Sequence, residues 1–275
     1  MSGQIALPPR PLDLHRFWRS PELPFLEARQ IEDGRQVCYC PHSHSTFSVG
    51  SVRGGRSSFE IGGQKHEIEP GTVVLINPEE VHACNPLQDQ PWSYRMLYVD
   101  PDWLTALQGG KTFRPYADCL SRDPSLFAEL EDLFDHLFEP GNSDALREGI
   151  AASFFVGLED RLCPATVRTP AHPMLDRAVR HIDTDCARPL FLADLCRITG
   201  LSPAYLVRSF KARFGLSPHA YQSNRRIRLG QELLRRGASI AEVALTCGFA
   251  DQAHFQRVFK RHVAATPGQF TAAAE

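Results

Sequence analysis

Two stretches in the C-terminal third of this 275-residue chain repeat one another, and the repeat limits the possible folds more than any other feature. Leu192-x-x-Leu195-Cys196-x-x-x-Gly200-Leu201 matches Ile240-x-x-Val243-Ala244-x-x-x-Gly248-Phe249, offset by 48 residues. Ser202-x-x-x-Leu206-x-Arg208-x-Phe210-Lys211 matches Asp251-x-x-x-Phe255-x-Arg257-x-Phe259-Lys260, offset by 49. Gly200 and Gly248 fall where the first helix of each copy must end, because glycine accepts the left-handed backbone of a C-cap. Ser202 and Asp251 are placed as N-caps of the second helix. Leu206, Phe210, Phe255 and Phe259 recur at four-residue spacing and should face inward, leaving a polar, basic outer face. Each copy is therefore a helix, a sharp turn and a helix, whose second helix can enter a DNA major groove.

The charge distribution agrees. Residues 1–169 carry 15 Lys+Arg and 24 Asp+Glu, a net of −9, whereas residues 170–275 carry 15 and 8, a net of +7. A basic module on an acidic body suits a polyanionic partner. Residues 218–236 read as one connecting helix with Arg225, Arg226, Arg228, Arg235 and Arg236 on it. It would span about 28 Å at ~1.5 Å per residue, close to the roughly 34 Å between successive major-groove faces.

Ahead of this module the pattern changes period. Residues from about 35 to 100 form short runs punctuated by glycine and proline, with turns at Gly62-Gly63 and Pro70-Gly71, which predicts a β sandwich or small barrel. Asp123-Pro124 then opens a helix, Pro140-Gly141 ends it, and a second helix follows with Leu146, Ile150, Phe154, Leu158 and Leu162 four apart. Residues 163–173 contain three prolines and no apolar periodicity, which reads as a linker. The expected class is α+β in two domains: 1–122 a β-rich barrel domain, 123–163 a helical pair expected to mediate dimerisation, 164–172 a linker, and 173–275 an all-α module of two helix-turn-helix units joined by a long helix. No run approaches the ~18–20 apolar residues of a membrane span, no secretory pattern opens the chain, and the eight cysteines lack C-x-x-C spacing, so a cytoplasmic protein without disulfides is expected.

Residues 173–270 resemble the DNA-binding domain of AraC-type transcriptional regulators. The resemblance rests on LADLCRITGLSPAYLVRSFKARFGLSPHAY and SIAEVALTCGFADQAHFQRVFKRHVAATPGQF, with departures at Cys196, Gly230 and Ala264. It implies double-stranded DNA as partner, a homodimer, and contact with RNA polymerase. It places base contacts on Ala204, Val207 and Arg208 in the first copy and on Ala253, His254 and Arg257 in the second. Arg208 and Arg257 could instead hold phosphate or a structural ion pair, and His254 could hold phosphate. Lys211, Arg225, Arg226, Arg228 and Lys260 are the phosphate candidates.

Residues 35–100 resemble the small-molecule-sensing cupin barrel, a double-stranded β-helix, that precedes this domain in many members. Pro41-His42-Ser-His44, Glu69-Pro70-Gly71-Thr-Val-Val-Leu-Ile-Asn-Pro78 and Val81-His82 carry that likeness. A small-molecule effector would then lie in the barrel. His42, His44 and His82, with Trp92, Tyr94 and Tyr98 from an alternating strand that also holds Met96, are the ligand candidates. Cys38, Cys40, His42 and His44 share parity, so a metal on the histidines is the alternative, making the barrel a metal sensor or enzyme. Metal-binding cupins place a carboxylate shortly after the His-x-His pair; Ser45-Thr-Phe-Ser-Val-Gly50 has none. The expectation is therefore no cofactor, no metal and no catalytic residue.

Overall fold

A computed structural model describes residues 15–35, 37–87, 90–165 and 172–272. Most of the expected linker, 166–171, lies outside the described residues. The chain begins with β1 (His15–Arg19), β2 (Leu26–Ile31), β3 (Phe47–Gly54), β4 (Ser57–Ile61), β5 (Gln64–Ile68), β6 (Val73–Ile76), β7 (His82–Pro86) and β8 (Ser93–Val99). After α1 (Pro101–Leu107) and the short β9 (Leu120–Ser121) come α2 (Pro124–Phe138) and α3 (Asp144–Glu159). All strand pairings are antiparallel, in a six-stranded sheet ordered β1-β2-β8-β3-β6-β9 and a three-stranded sheet ordered β5-β4-β7.

The six-stranded sheet is buried on both faces, which is why Val73–Ile76 is an unbroken apolar run. Phe47, Val49, Val73, Leu75, Leu97 and Val99 point to one side, where α2 and α3 cover them. Val52, Val74, Ile76, Tyr94 and Met96 point to the other, into the barrel, where Phe59, Ile61 and Ile68 of the smaller sheet meet them. The helical pair expected over 123–163 thus buries its apolar stripe on the barrel, with the Asp123 cap accepting from Ser125 N–H. Two strands, β1 and β2, precede the region in which strands were expected.

The second domain is helical: α4 (Pro173–Thr184), α5 (Leu192–Thr199), α6 (Pro203–Phe214), α7 (Pro218–Arg235), α8 (Ile240–Thr246), α9 (Gln252–Val263) and α10 (Pro267–Thr271). The pairs α5–α6 and α8–α9 are the two repeats, and α7 connects them. Leu206 and Phe210 enter one core with Leu175, Ala178, Ile182 and Leu195; Phe255 and Phe259 enter another with Ile227, Val243, Phe249 and Phe270. Asp251 caps α9 through His254 N–H, whereas Ser202 stands at the N-cap of α6 without a side-chain bond.

Both repeat glycines are left-handed, with φ of 71° at Gly200 and 74° at Gly248, but their surroundings differ. A Cβ at Gly200 would meet open space; at Gly248 it would run into the Ala187 carbonyl. Gly200→Ala should therefore cost about 1–2 kcal/mol, the left-handed penalty alone. Gly248→Ala should cost clearly more, measured by urea unfolding of the full chain. Equal costs would mean that the Ala187 contact is not maintained.

Candidate functional sites: two recognition helices and a histidine-lined cavity

Helices α6 and α9 carry the side chains predicted to read DNA. Ala204, Arg208 and Lys211 on α6, and Ala253, His254, Arg257 and Lys260 on α9, are exposed; Val207 is half-buried. Among the described residues, the side chains of Arg208, Lys211, Arg257 and Lys260 make no ion pair or hydrogen bond, so the structural ion pair entertained for Arg208 and Arg257 is not formed. The His254 ring packs edge-on against Phe249, with centroids 5.4 Å apart.

The connector arginines are placed differently from the expectation that all three face phosphate. Arg226 folds inward and donates to four backbone carbonyls: Cys186 at 2.7 Å, Gly248 and Ala187 at 2.9 Å, and Arg188 at 3.0 Å. Periodicity put Arg226 on a basic face. What it serves is the loop before α5 and the turn of the second repeat, whose carbonyls lack other helix partners. Arg225 and Arg228 instead reach Glu79 of the barrel, Arg228 at 2.7 Å and Arg225 at 3.2 Å, and Arg225 also pairs with Asp183 at 2.9 Å.

Further contacts join barrel and helices beside this clasp. Asn224 is buried and grips Ser43: it accepts from Ser43 N–H at 3.3 Å and donates to Ser43 O and Oγ, both at 3.0 Å. The C-terminus of α9 has carbonyls that its own helix cannot satisfy. Arg261 O accepts from Cys40 N–H at 2.9 Å, and Arg29 donates to Val263 O at 2.6 Å and Ala264 O at 3.1 Å. Arg29 is 1% exposed, and a cation suits the negative end of a helix. Glu27 receives Arg19 and Arg235; burial raises its pKa, but the two guanidiniums outweigh that and hold it below the usual carboxylate value.

These contacts bring α6 against the barrel. Ala204, Val207, Arg208 and Lys211 line a cleft of ≈1860 Å³ whose opposite wall includes the β4–β5 turn at Gly62 and Gly63 and the acidic Glu60, Glu79 and Glu80. The corresponding face of α9 is not among the residues lining that cleft.

Inside the barrel, His42, His44, His82, Trp92, Tyr94 and Tyr98 line one cavity with Tyr39, Met96 and Cys84. Its free volume of ≈30 Å³ admits a water or two. His42 and His82 are joined by a backbone bridge that sets their rings side by side, 4.4 Å apart, with His44 4.9 Å from His82. Burial first, and neighbouring histidines second, push His42 and His44 down, His44 to about 3; burial alone pushes His82 down to about 4. All three rings are neutral near pH 7. Burial drives the Cys84 thiol up to about 12, so near pH 7 it stands as the neutral thiol. The shared parity of residues 38–44 does not put them on one face: this segment is not a continuous strand, and Cys38 is exposed. Among the described residues no group of three or more His, Cys, Asp or Glu is placed to hold a metal ion, and no helix is long and apolar enough to cross a membrane.

The AraC-like ligand binding domain model matches residues 24–153, and a helix-turn-helix domain model matches residues 195–273. The chain belongs to the AraC-type transcription regulators. An uncharacterised helix-turn-helix regulator of Bacillus subtilis is 27% identical over 225 residues, covering 78% of this chain and 80% of its own. The arabinose operon regulatory protein of Escherichia coli is 27% identical over 229 residues, covering 78% and 76%. The crystal structure of an apo ToxT variant with a single lysine-to-alanine substitution, from Vibrio cholerae, shares the fold, with a TM-score of 0.57 at 15% identity over 91% of this chain and 98% of that one. This AraC-type chain is thus a DNA-binding regulator with an N-terminal ligand-binding domain, and not an enzyme.

Arg226→Ala should lower the stability of the regulator by about 1–3 kcal/mol, because Gly248 O and Ala187 O lose their donor. The salt dependence of DNA binding should keep the wild-type slope, since no phosphate contact is removed. A slope reduced by about one with unchanged melting temperature would return Arg226 to the phosphate track.

Proposed function

We propose that the regulator exchanges a closed arrangement, in which the barrel covers the first recognition helix, for an open one that binds DNA through both repeats, and that a small molecule in the barrel cavity sets the balance. The observation that carries this is that Arg208 and Lys211 face the acidic wall of the barrel across one cleft while Glu79 occupies Arg225 and Arg228. A recognition helix needs both flanks free to enter a groove about 12 Å wide with phosphates on either side. On opening, Ala204, Val207 and Arg208 would join Ala253, His254 and Arg257 at base edges, and Lys211, Lys260, Arg225 and Arg228 would meet phosphates.

The cavity is tied to this equilibrium through its own wall. Ser43, gripped by Asn224, lies between His42 and His44, and Glu79 N–H donates to His44 O at 2.8 Å. Glu79 also holds φ at 64°, unusual for a residue with a side chain, so its placement is imposed by its surroundings. A ligand that displaces the histidines shifts the two residues that hold α7. Effector control of this kind accords with the ligand-binding domain, and ToxT, which shares the fold, has been solved with an unsaturated fatty acid bound.

The same reading divides the chain into 1–122, 123–163, 164–172 and 173–275. A homodimer would use α3, where Leu146 and Val156 are 46% and 53% exposed. RNA polymerase contact and a cytoplasmic location complete the reading.

Glu79→Gln should raise the affinity of the full-length chain for duplex DNA at low salt roughly three- to tenfold, the effect of releasing two partly exposed ion pairs. Binding by a 173–275 fragment sets the upper limit. An unchanged or weaker full-length affinity, measured by fluorescence anisotropy, would contradict the clasp.

A further inference from the structure

We propose that the barrel cavity takes a neutral ligand with a ring-sized apolar body and one hydrogen-donating end held by His42, His44 and His82, and that it rejects carboxylates and phosphates. This rests on the reading of the cavity as the effector site.

The argument starts from the ring nitrogens. His42 Nδ1 lies 3.0 Å from Cys40 O, His44 Nδ1 2.9 Å from Thr46 O, and His82 Nδ1 2.9 Å from Glu80 O. A carbonyl oxygen only accepts, so each Nδ1 carries the ring proton. In a neutral ring that leaves Nε2 a bare acceptor. Ser48 Oγ stands 3.4 Å from the Nε2 of His44. Among the described residues, no group donates to the Nε2 of His42 or His82, although His82 is 6% exposed. Neither Nε2 is sealed off; both open on the cavity, where a donor that enters can pair with them.

The charged and titratable neighbours do not reverse this. Arg228 of α7 and His262 of α9 face the cluster, and both favour the neutral rings. Arg29 commits its terminal nitrogens to Tyr39 Oη, His15 Nδ1, Val263 O and Ala264 O, and it does not line the cavity. Arg95 does line the cavity, but Glu131 and Asp135 neutralise it and Gln30 accepts from its Nε. The Tyr39 and Tyr94 hydroxyls pair with each other, so an anion entering here would meet the histidine lone pairs and a cation already paired.

The rest of the wall decides the body of the ligand. Ile68, Val74, Ile76, Trp92 and Met96 are apolar, so a sugar with hydroxyls all round its ring would leave several unpaired against them. A phenol or a small cyclic alcohol presents one polar end and an apolar remainder. Its polar end belongs at the mouth, because Tyr39, His42, His44 and Tyr98 also border the interdomain cleft of ≈910 Å³. A ring needs more room than the cavity now has, and Met96, unbranched and flexible, is the side chain that can yield it.

The test is thermal unfolding of the full-length chain at pH 7.5 with phenol, catechol and cyclohexanol set against benzoate and phenyl phosphate. At least one neutral probe should raise Tm by about 3 °C or more once it reaches roughly ten times its Kd, and the anions should not. The shift should vanish in His82→Phe. Anions that stabilise as well as the neutral probes, or a shift retained in His82→Phe, would overturn the proposal while leaving the cavity an effector site. No shift from any probe would instead overturn the cavity as a ring-sized site and, with it, this proposal. Histidine side-chain ¹H–¹⁵N spectra of the wild type give a readout independent of the variant's folding. Three rings protonated at Nδ1 between pH 6 and 8 are expected; imidazolium or Nε2-protonated rings would overturn the assignment.

Discussion

A buried amide must be paired, and Asn224 finds all its partners on one residue of the other domain. Its oxygen and nitrogen are taken up by the backbone and hydroxyl of Ser43, at the middle of the connector helix α7. This one interaction fixes the register of the helical module against the barrel. Around it, Arg225 and Arg228 close on Glu79, Arg235 closes on Glu27, and Phe17 of β1 enters the core of the second repeat against Phe270. The connector therefore serves two masters. Ile227 and Leu234 bind it to the second repeat, while the face bearing Asn224 and Arg228 binds it to the barrel.

The same arrangement treats the two repeats unequally. The first recognition helix looks into a cleft with an acidic wall. The second keeps its reading face outside that cleft, yet the barrel supplies donors to the last carbonyls of α9 through Arg29 and Cys40. Opening therefore exposes one helix and uncaps another. The acidic body and basic module attract each other in the closed form for the same reason that the module attracts phosphate. The two associations compete for the same charges, so salt weakens both.

Much of this was legible in the chain itself. Spacing and capping residues located both repeats, because helix ends and buried faces are local properties. The parity of Trp92, Tyr94, Met96 and Tyr98 put them on one wall, because a strand alternates its side chains whatever surrounds it. What escaped is what depends on distant partners. Strands β1 and β2 hold charged residues at positions that would otherwise read as loop; Arg29 is buried only because α9 ends against it. Arg226 and Arg228 look alike in sequence, yet one feeds backbone carbonyls and the other a carboxylate 149 residues away. The histidines were recognisable as a set, but their proton positions follow from three carbonyls that only the folded loops supply.

The central claim is that DNA engagement separates the barrel from the first recognition helix. The most direct measurement is energy transfer in the full-length chain between fluorescent amino acids introduced at Gln64, in the barrel hairpin, and Ala212, on α6, both exposed at the cleft. Adding duplex DNA at low salt should lengthen that distance by about 10 Å or more, the width a groove requires. A complex in which the distance stays that of the free protein, while Arg208→Ala still weakens binding, would contradict the account.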